Sequence, residues 1–326
     1  MTHTQVGPPP PFDPELAAGL AAMPELPPSI TVEMVTMMRE MGGMRDASDE
    51  DLRRGGKFDL SEHTAPGPEG APDIKLLVLR PTGATTPRPA IFYIHGGGMV
   101  MGSNRGAEVT KAVDTAQELE LVLVSVEYRL APEHPHPAPV QDCYAGLLWT
   151  RENAAELGID PDRIVIAGGS AGGGLAASTA LMARDLNAPE LAAQLLFCPM
   201  LDDRNDSYSA HQMVGLGVWD QAANEMGWTA LLGDRKGTDD VDGYGAAARA
   251  TDLSGLPPTY IDVGSAETFR DEAVEYASRI WQAGGHAELH VWPGGFHGFE
   301  MLAPQAAISQ HASGPRALWL RRVLGV

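Results

Sequence analysis

Cysteine is nearly absent: Cys143 and Cys198 are the two in 326 residues. That excludes a disulfide scaffold, a C-x-x-C redox pair and a zinc knuckle, and it points to a reducing compartment. Basic residues are also scarce, 23 against 43 acidic ones, for a formal net charge of −20. A field of that sign repels nucleic-acid phosphates and anionic lipid headgroups, so neither is an expected partner. No apolar run approaches the roughly 18 residues of a membrane span. The opening Met1–Gln5 is polar without a basic flank, and Pro8–Pro11 interrupt the chain soon after it, so no secretory signal is expected. The expectation is a soluble, cytoplasmic protein. The ten histidines form no H-E-x-x-H pair and no Cys/His cluster, which gives a catalytic metal little support. His134-x-His136 lies among Pro132, Pro135 and Pro137 and reads as part of a stiff loop.

What is present is ordinary globular material, 44% hydrophobic and 20% charged, enough for a sizeable core. The first thirty residues are rich in proline and alanine, which favours an extended or loosely packed lead-in. Thr31–Met41 then places Met34, Val35, Met38 and Met41 at helical spacing. That stripe serves either as core packing or as an adaptable pocket wall, since methionine conforms to irregular ligands. From about residue 74, strands alternate with helices, the pattern of a mainly parallel sheet covered on both faces. Expected strands are Ile74–Arg80, Ala90–His95, Leu121–Glu127, Arg163–Gly168, Ala193–Cys198, Thr259–Gly264 and Ala287–Trp292. Expected helices are Pro139–Leu157, Gly172–Leu186, Phe269–Ala283 and a C-terminal one reaching Arg322, with Gly158 and Gly284 as stops. Asp202–Leu253 breaks the alternation and reads as an insertion above the sheet, with a helix around Asp220–Leu232.

Gly168-Gly169-Ser170-Ala171-Gly172 matches G-x-S-x-G between an expected strand and an expected helix. A serine there must adopt positive φ to lift its hydroxyl above the sheet, and the close helix–strand approach requires small neighbours. Gly172-x-Gly174-x-x-Ala177 formally fits a dinucleotide loop, but it falls inside a helix and no acidic residue ends the next strand. His95-Gly96-Gly97-Gly98 ends a buried strand 75 residues before the serine. Consecutive glycines let amides turn inward, and acyl transfer needs such donors at its oxyanion. The amides of Gly97, Gly98 and Ala171 are the candidates, with His95 shaping the loop.

These two motifs, together with Tyr128-Arg129-Leu130-Ala131-Pro132-Glu133-His134-Pro135, resemble the hormone-sensitive-lipase family of α/β-hydrolases, the bacterial family IV esterases. The resemblance runs in motif order over residues 74 to 326. It departs at Gly169, where the family carries Asp or Thr. It implies an α/β fold with an eight-stranded, mostly parallel sheet flanked by helices, under a helical cap. Residues 1–60 are then an N-terminal cap segment, and 61–326 a catalytic domain with a cap insertion at about 203–253.

On this fold a triad runs Ser, then Asp or Glu, then His. Ser170 is the nucleophile, and His297, in the loop after Ala287–Trp292, is the general base. Arg270-Asp271-Glu272 matches the end of the family's Asp-Pro-Leu-Arg-Asp-Glu motif, which puts Glu267 in the acid's slot; Asp271 and Asp262 are rivals. Met99 and Leu201 are pocket candidates because their loops flank the nucleophile, and Met34, Met38, Val214, Leu216, Val218 and Trp219 form either pocket wall or cap core. The implied reaction is hydrolysis of short- to medium-chain carboxylic esters through an acyl-enzyme, with no cofactor. Amide, carbamate or lactone hydrolysis and acyl transfer use the same triad, and a small-ligand receptor without catalysis is the rival from another class. A homodimer through the last edge strand is implied by the resemblance alone.

Overall fold

Continuous apolar runs such as Leu121–Val124 become strands buried on both faces, which only a covered sheet can accommodate. The computed structural model describes residues 6–23, 31–40 and 46–326. The N-terminal part contributes α1 (Pro14–Ala21), α2 (Val32–Glu40), α3 (Asp49–Arg53) and β1 (Phe58–Ala65). Then come β2 (Ile74–Pro81), β3 (Arg88–Ile94), α4 (Ala107–Leu119), β4 (Val122–Glu127), α5 (Ala138–Glu152) and α6 (Ala154–Leu157). β5 (Ile159–Gly169), α7 (Ala171–Asp185) and β6 (Ala193–Phe197) lead into α8 (Tyr208–Gln212) and α9 (Gln221–Leu232). The chain ends with β7 (Thr259–Gly264), α10 (Arg270–Gln282), β8 (Ala287–Trp292), α11 (Phe299–Leu302) and α12 (Ala307–Leu324).

The eight strands lie in the order β1-β2-β4-β3-β5-β6-β7-β8. β2 is antiparallel to both of its neighbours, and every later pairing is parallel. Alternate strand residues feed two cores: Leu76, Val78, Phe92 and Ile94 meet Leu147 and Leu175 on one face. Leu77, Leu79, Ile91 and Tyr93 meet Val109, Val113 and Leu320 on the other. The sheet agrees with the sequence expectation. β1 and α4 are additions to it.

The lead-in departs from the extended chain expected of it. Asp13 caps α1, its Oδ1 accepting from the amides of Glu15 and Leu16, and Pro14 occupies the first helical position, where its missing N–H costs nothing. Leu16 is fully buried against Phe296 and Phe299, and the Asp13 amide donates to the Gly294 carbonyl at 3.1 Å. This helix therefore braces the loop that carries His297. Met1–Gln5 and Met41 lie outside the described residues, as does the side chain of Met38. The insertion is tied at its base by the Asp203–Arg249 ion pair at 2.6 Å, with Asp203 fully buried.

Candidate active site

Parallel strands deliver their C-terminal ends to one edge of the sheet, and the site is assembled there. Gly168 pairs with Ile94 and Gly169 with Phe197, so the turn after β5 lies between the ends of β3 and β6. Ser170 has φ 56° and ψ −123°, the strained conformation that lifts its side chain off the strand. Its amide donates to Phe197 O at 2.8 Å, and its carbonyl accepts from Met200 N at 2.9 Å. Substitution of Gly172 is sterically closed, because a Cβ there would collide with the carbonyls of Ile94 and His95.

His297 Nε2 lies 2.9 Å from Ser170 Oγ, and His297 Nδ1 lies 3.0 Å from Glu267 Oε1. An ionised carboxylate only accepts, so it fixes the proton on Nδ1 and leaves the Nε2 lone pair facing the hydroxyl. Glu267 is buried, and its second oxygen accepts from Gly264 N at 2.9 Å. Phe269 sets its ring edge-on to the imidazole with centroids 5.1 Å apart. The two rival acids are engaged elsewhere. Asp262 pairs with Arg316, which also forks onto Glu300. Asp271 accepts from Ser209 N and from Arg270.

The loop after β3 is held by its own histidine. His95 is buried with Nδ1 2.9 Å from Gly96 O, stacks on Tyr128 at 4.2 Å, and has its pKa pushed down to about 4 by burial. It is thus a neutral donor to the loop rather than a base. Gly97, Gly98 and Met99 all have positive φ, 102°, 64° and 62°. Successive residues of this kind bend a chain into a concave nest of amides. Among the described residues, the amides of Gly97, Gly98 and Ala171 have no hydrogen-bond acceptor; the last is an orphan donor at the first turn of α7.

Several pocket candidates are placed otherwise than the sequence reading expected. Met99 and Leu201 belong to the packed core, and Leu201 N is anchored on the buried Glu272 carboxylate at 2.7 Å. Trp219 packs its ring on Gly98, where any Cβ would collide with it, so it borders the glycine loop directly. Leu216 is exposed and Met34 half-buried. Val214 is exposed, and Val218 packs near Phe296. Two shallow hollows, one around Trp281 and Arg322 and one around Arg184 and Asp242, lie away from Ser170.

Two contributors escaped the sequence reading. Glu108, on α4, accepts from Gly96 N at 2.5 Å, and its other oxygen would stand 3.3 Å from a Cβ at Gly169. A carboxyl group thus stands beside Gly169, contributed by α4 rather than by the motif itself. Arg39, on α2, donates to Val100 O at 2.5 Å and Ala131 O at 2.6 Å and pairs with Glu133. Neither has a motif; the apolar spacing Val109, Ala112, Val113, Ala116 and Leu119 was the signal for α4. Among the described residues, one group brings three metal-ligand atoms together: Cys198, Glu267 and His297.

Comparison with known proteins agrees with this geometry. A family model described as the alpha/beta hydrolase fold matches residues 91–301. Carboxylesterase NlhH of Mycobacterium tuberculosis is 36% identical over 286 residues, covering 81% of this chain and 83% of that protein. A solved bacterial heroin esterase superposes with a TM-score of 0.88 at 40% identity, over 96% of this chain and 98% of its own. Esterase LipW from Mycobacterium marinum superposes with a TM-score of 0.84 at 30% identity, covering 98% of each chain. With the sheet order, the strand-end loops and these relatives in agreement, the chain belongs to the α/β-hydrolase family, in its hormone-sensitive-lipase branch.

Proposed function

We propose that the chain hydrolyses carboxylic esters of short- to medium-chain acids through an acyl-enzyme on Ser170. The observation that carries this reading is the unbroken path from Ser170 Oγ through His297 to Glu267, at 2.9 and 3.0 Å. His297 takes the hydroxyl proton as Oγ bonds to the ester carbonyl carbon, and Glu267 stabilises the imidazolium. The carbonyl oxygen becomes an alkoxide held by the amides of Gly97, Gly98 and Ala171, each such donor being worth roughly 10²–10³ in rate. The intermediate collapses, the C–O bond to the alcohol breaks, and His297 returns its proton to that alcohol. Water then repeats the sequence and frees the acid.

The substrate is a small-molecule ester. The similarity to proteins named carboxylesterase and esterase supports esters over amides. Trp219, above Gly98, is the wall that limits the acyl or alcohol group. Residues 203–253, closed at the base by Asp203 and Arg249, act with the N-terminal helices as the cap. Two free cysteines support a cytosolic setting. Among the described residues, no helix is long and apolar enough to cross a membrane. β8 is the last strand of the sheet, and we assign it the edge through which two copies pair.

A fluorophosphonate probe tests the core of the proposal. Wild type is expected to label at one serine, and Ser170→Ala to lose both the label and about 10³-fold or more of kcat. Labelling that persists in the folded variant would reject Ser170 as nucleophile.

A further inference from the structure

Cys198 sits where ester hydrolysis has no use for a thiol. It is the residue immediately after β6, held at φ 33° with its amide donating to Asp262 O at 2.7 Å. Positive φ at a side chain that is not glycine is costly and persists only where the surroundings over-determine it, so the fold sets the Cα–Cβ direction of Cys198 and leaves rotation about χ1 to place the sulfur. Its Sγ, a Glu267 carboxylate oxygen and a His297 ring nitrogen all lie within 4.8 Å of one another. A tetrahedral zinc site has metal–ligand bonds near 2.0–2.3 Å, which place its ligands roughly 3.3–3.6 Å apart. Side-chain rotations of about an ångström therefore close the site.

We propose that Cys198, Glu267 and His297 bind one thiophilic divalent cation of the Zn2+ or Cd2+ type, and that its binding switches the enzyme off. The inhibitory half rests on the proposed role of His297; the binding half does not. Thiolate, imidazole and carboxylate form a donor set that favours such ions over Mg2+ or Ca2+. Cys198 and His297 are partly exposed while Glu267 is buried, so an ion enters from the substrate side and meets the carboxylate last. A net charge of −20 raises the cation concentration around the chain. On binding, the thiol proton passes to solvent. His297 Nδ1 lies 3.0 Å from Glu267 Oε1, so it is the ring nitrogen that shares the ion with the carboxylate. Coordination there forces the ring proton onto Nε2, where it faces Ser170 Oγ and blocks transfer of the serine proton.

Cd2+ titration of the full chain tests this with two readouts, the ultraviolet cadmium–thiolate absorption and the rate of ester hydrolysis. Wild type is expected to bind one Cd2+ with that absorption, to lose at least about 10-fold in rate, and to recover on adding EDTA. Loss of an outer partner alone weakens metal sites by roughly 10–100-fold, so loss of the sulfur ligand should shift the inhibitory concentration by at least that much. Cys198→Ala and Cys198→Ser, each compared with its own metal-free rate, should both show that shift and lose the absorption, leaving buried Cys143 silent. Equal Cd2+ sensitivity in both variants, or no thiolate absorption from folded wild type, overturns the proposal. Binding with the thiolate absorption but no change in rate overturns the inhibitory half. If Ser170→Ala still hydrolyses esters while the thiolate absorption stands, the failure lies in the catalytic reading and not in the metal site.

Discussion

One methylene separates Glu267 from the aspartate of the family motif, and the structure uses the extra reach. One oxygen stays on the Gly264 amide while the other meets His297. Sequence spacing left Asp262 and Asp271 in competition because all three follow or end the same strand; only their partners separate them. Glu267→Gln is therefore expected to lower kcat by up to ~10⁴-fold, the scale seen when a triad acid becomes an amide and the histidine tautomer is lost. Asp271→Asn should cost far less, since Asp271 touches a helix rather than the imidazole. Steady-state kinetics on one ester ranks the two, and the opposite ranking would remove Glu267 from the triad. Glu108 poses a different question, one of pH. Burial pushes its pKa up from 4.5 to about 7, against the pull of the Gly96 amide. The folded chain thus holds a proton that the unfolded chain releases between those values. Its contribution to stability is complete below about pH 4.5 and lost as pH rises through 7, at ~1.4 kcal/mol per pH unit at most. Glu108→Gln removes this slope, so its Tm relative to wild type should be higher at pH 8 than at pH 5. A pH-independent difference would show that the carboxyl does not titrate in the folded chain.

At the scale of elements, legibility followed the physics of each signal. β4 and β7 were readable because strands buried on both faces are apolar throughout. β1 was not: its sequence FDLSEHTA is buried only at its ends, and antiparallel pairing with β2, a long-range contact, makes it a strand. α1 was misread because proline was weighed by composition, whereas Asp13-Pro14 is a helix start by position. α2 was readable from its methionine spacing, but what docks it is Arg39, which pairs with no residue near it in sequence. Its guanidinium bonds to Val100 and Ala131 join the helix to the end of the glycine loop and to the segment after β4 whose Ala131 amide bonds that loop at Met99 O. Hydrogen bonds to a charged donor contribute roughly 1.5–3 kcal/mol each. Arg39→Ala should therefore leave the main thermal transition of the sheet nearly unchanged while proteolytic cleavage within α2 accelerates several-fold. A cleavage rate equal to wild type would mean that the apolar face around buried Val35 holds the helix without Arg39.

The whole molecule adds a property no single residue has. Forty-three acidic against 23 basic side chains leave a net charge of −20, and ion pairs within the fold, those at Arg105, Arg129 and Arg316 among them, engage part of the scarce positive charge. The active-site edge therefore lies within a negative field that acts on a substrate before any contact is made. Such fields change association rates by about 10–10³-fold and are screened beyond a Debye length of ~8 Å at physiological salt. For a neutral ester, kcat/KM should be nearly independent of ionic strength. For an ester of matched size bearing a remote carboxylate, kcat/KM should be depressed at low salt and climb as salt is added, and a quaternary-ammonium analogue should fall. The three esters measured from about 10 mM to about 500 mM NaCl separate steering from pocket chemistry, because a pocket that rejects a carboxylate by contact does so at every salt concentration. Parallel salt profiles for all three would locate the discrimination in the pocket wall at Trp219 rather than in the field of the chain.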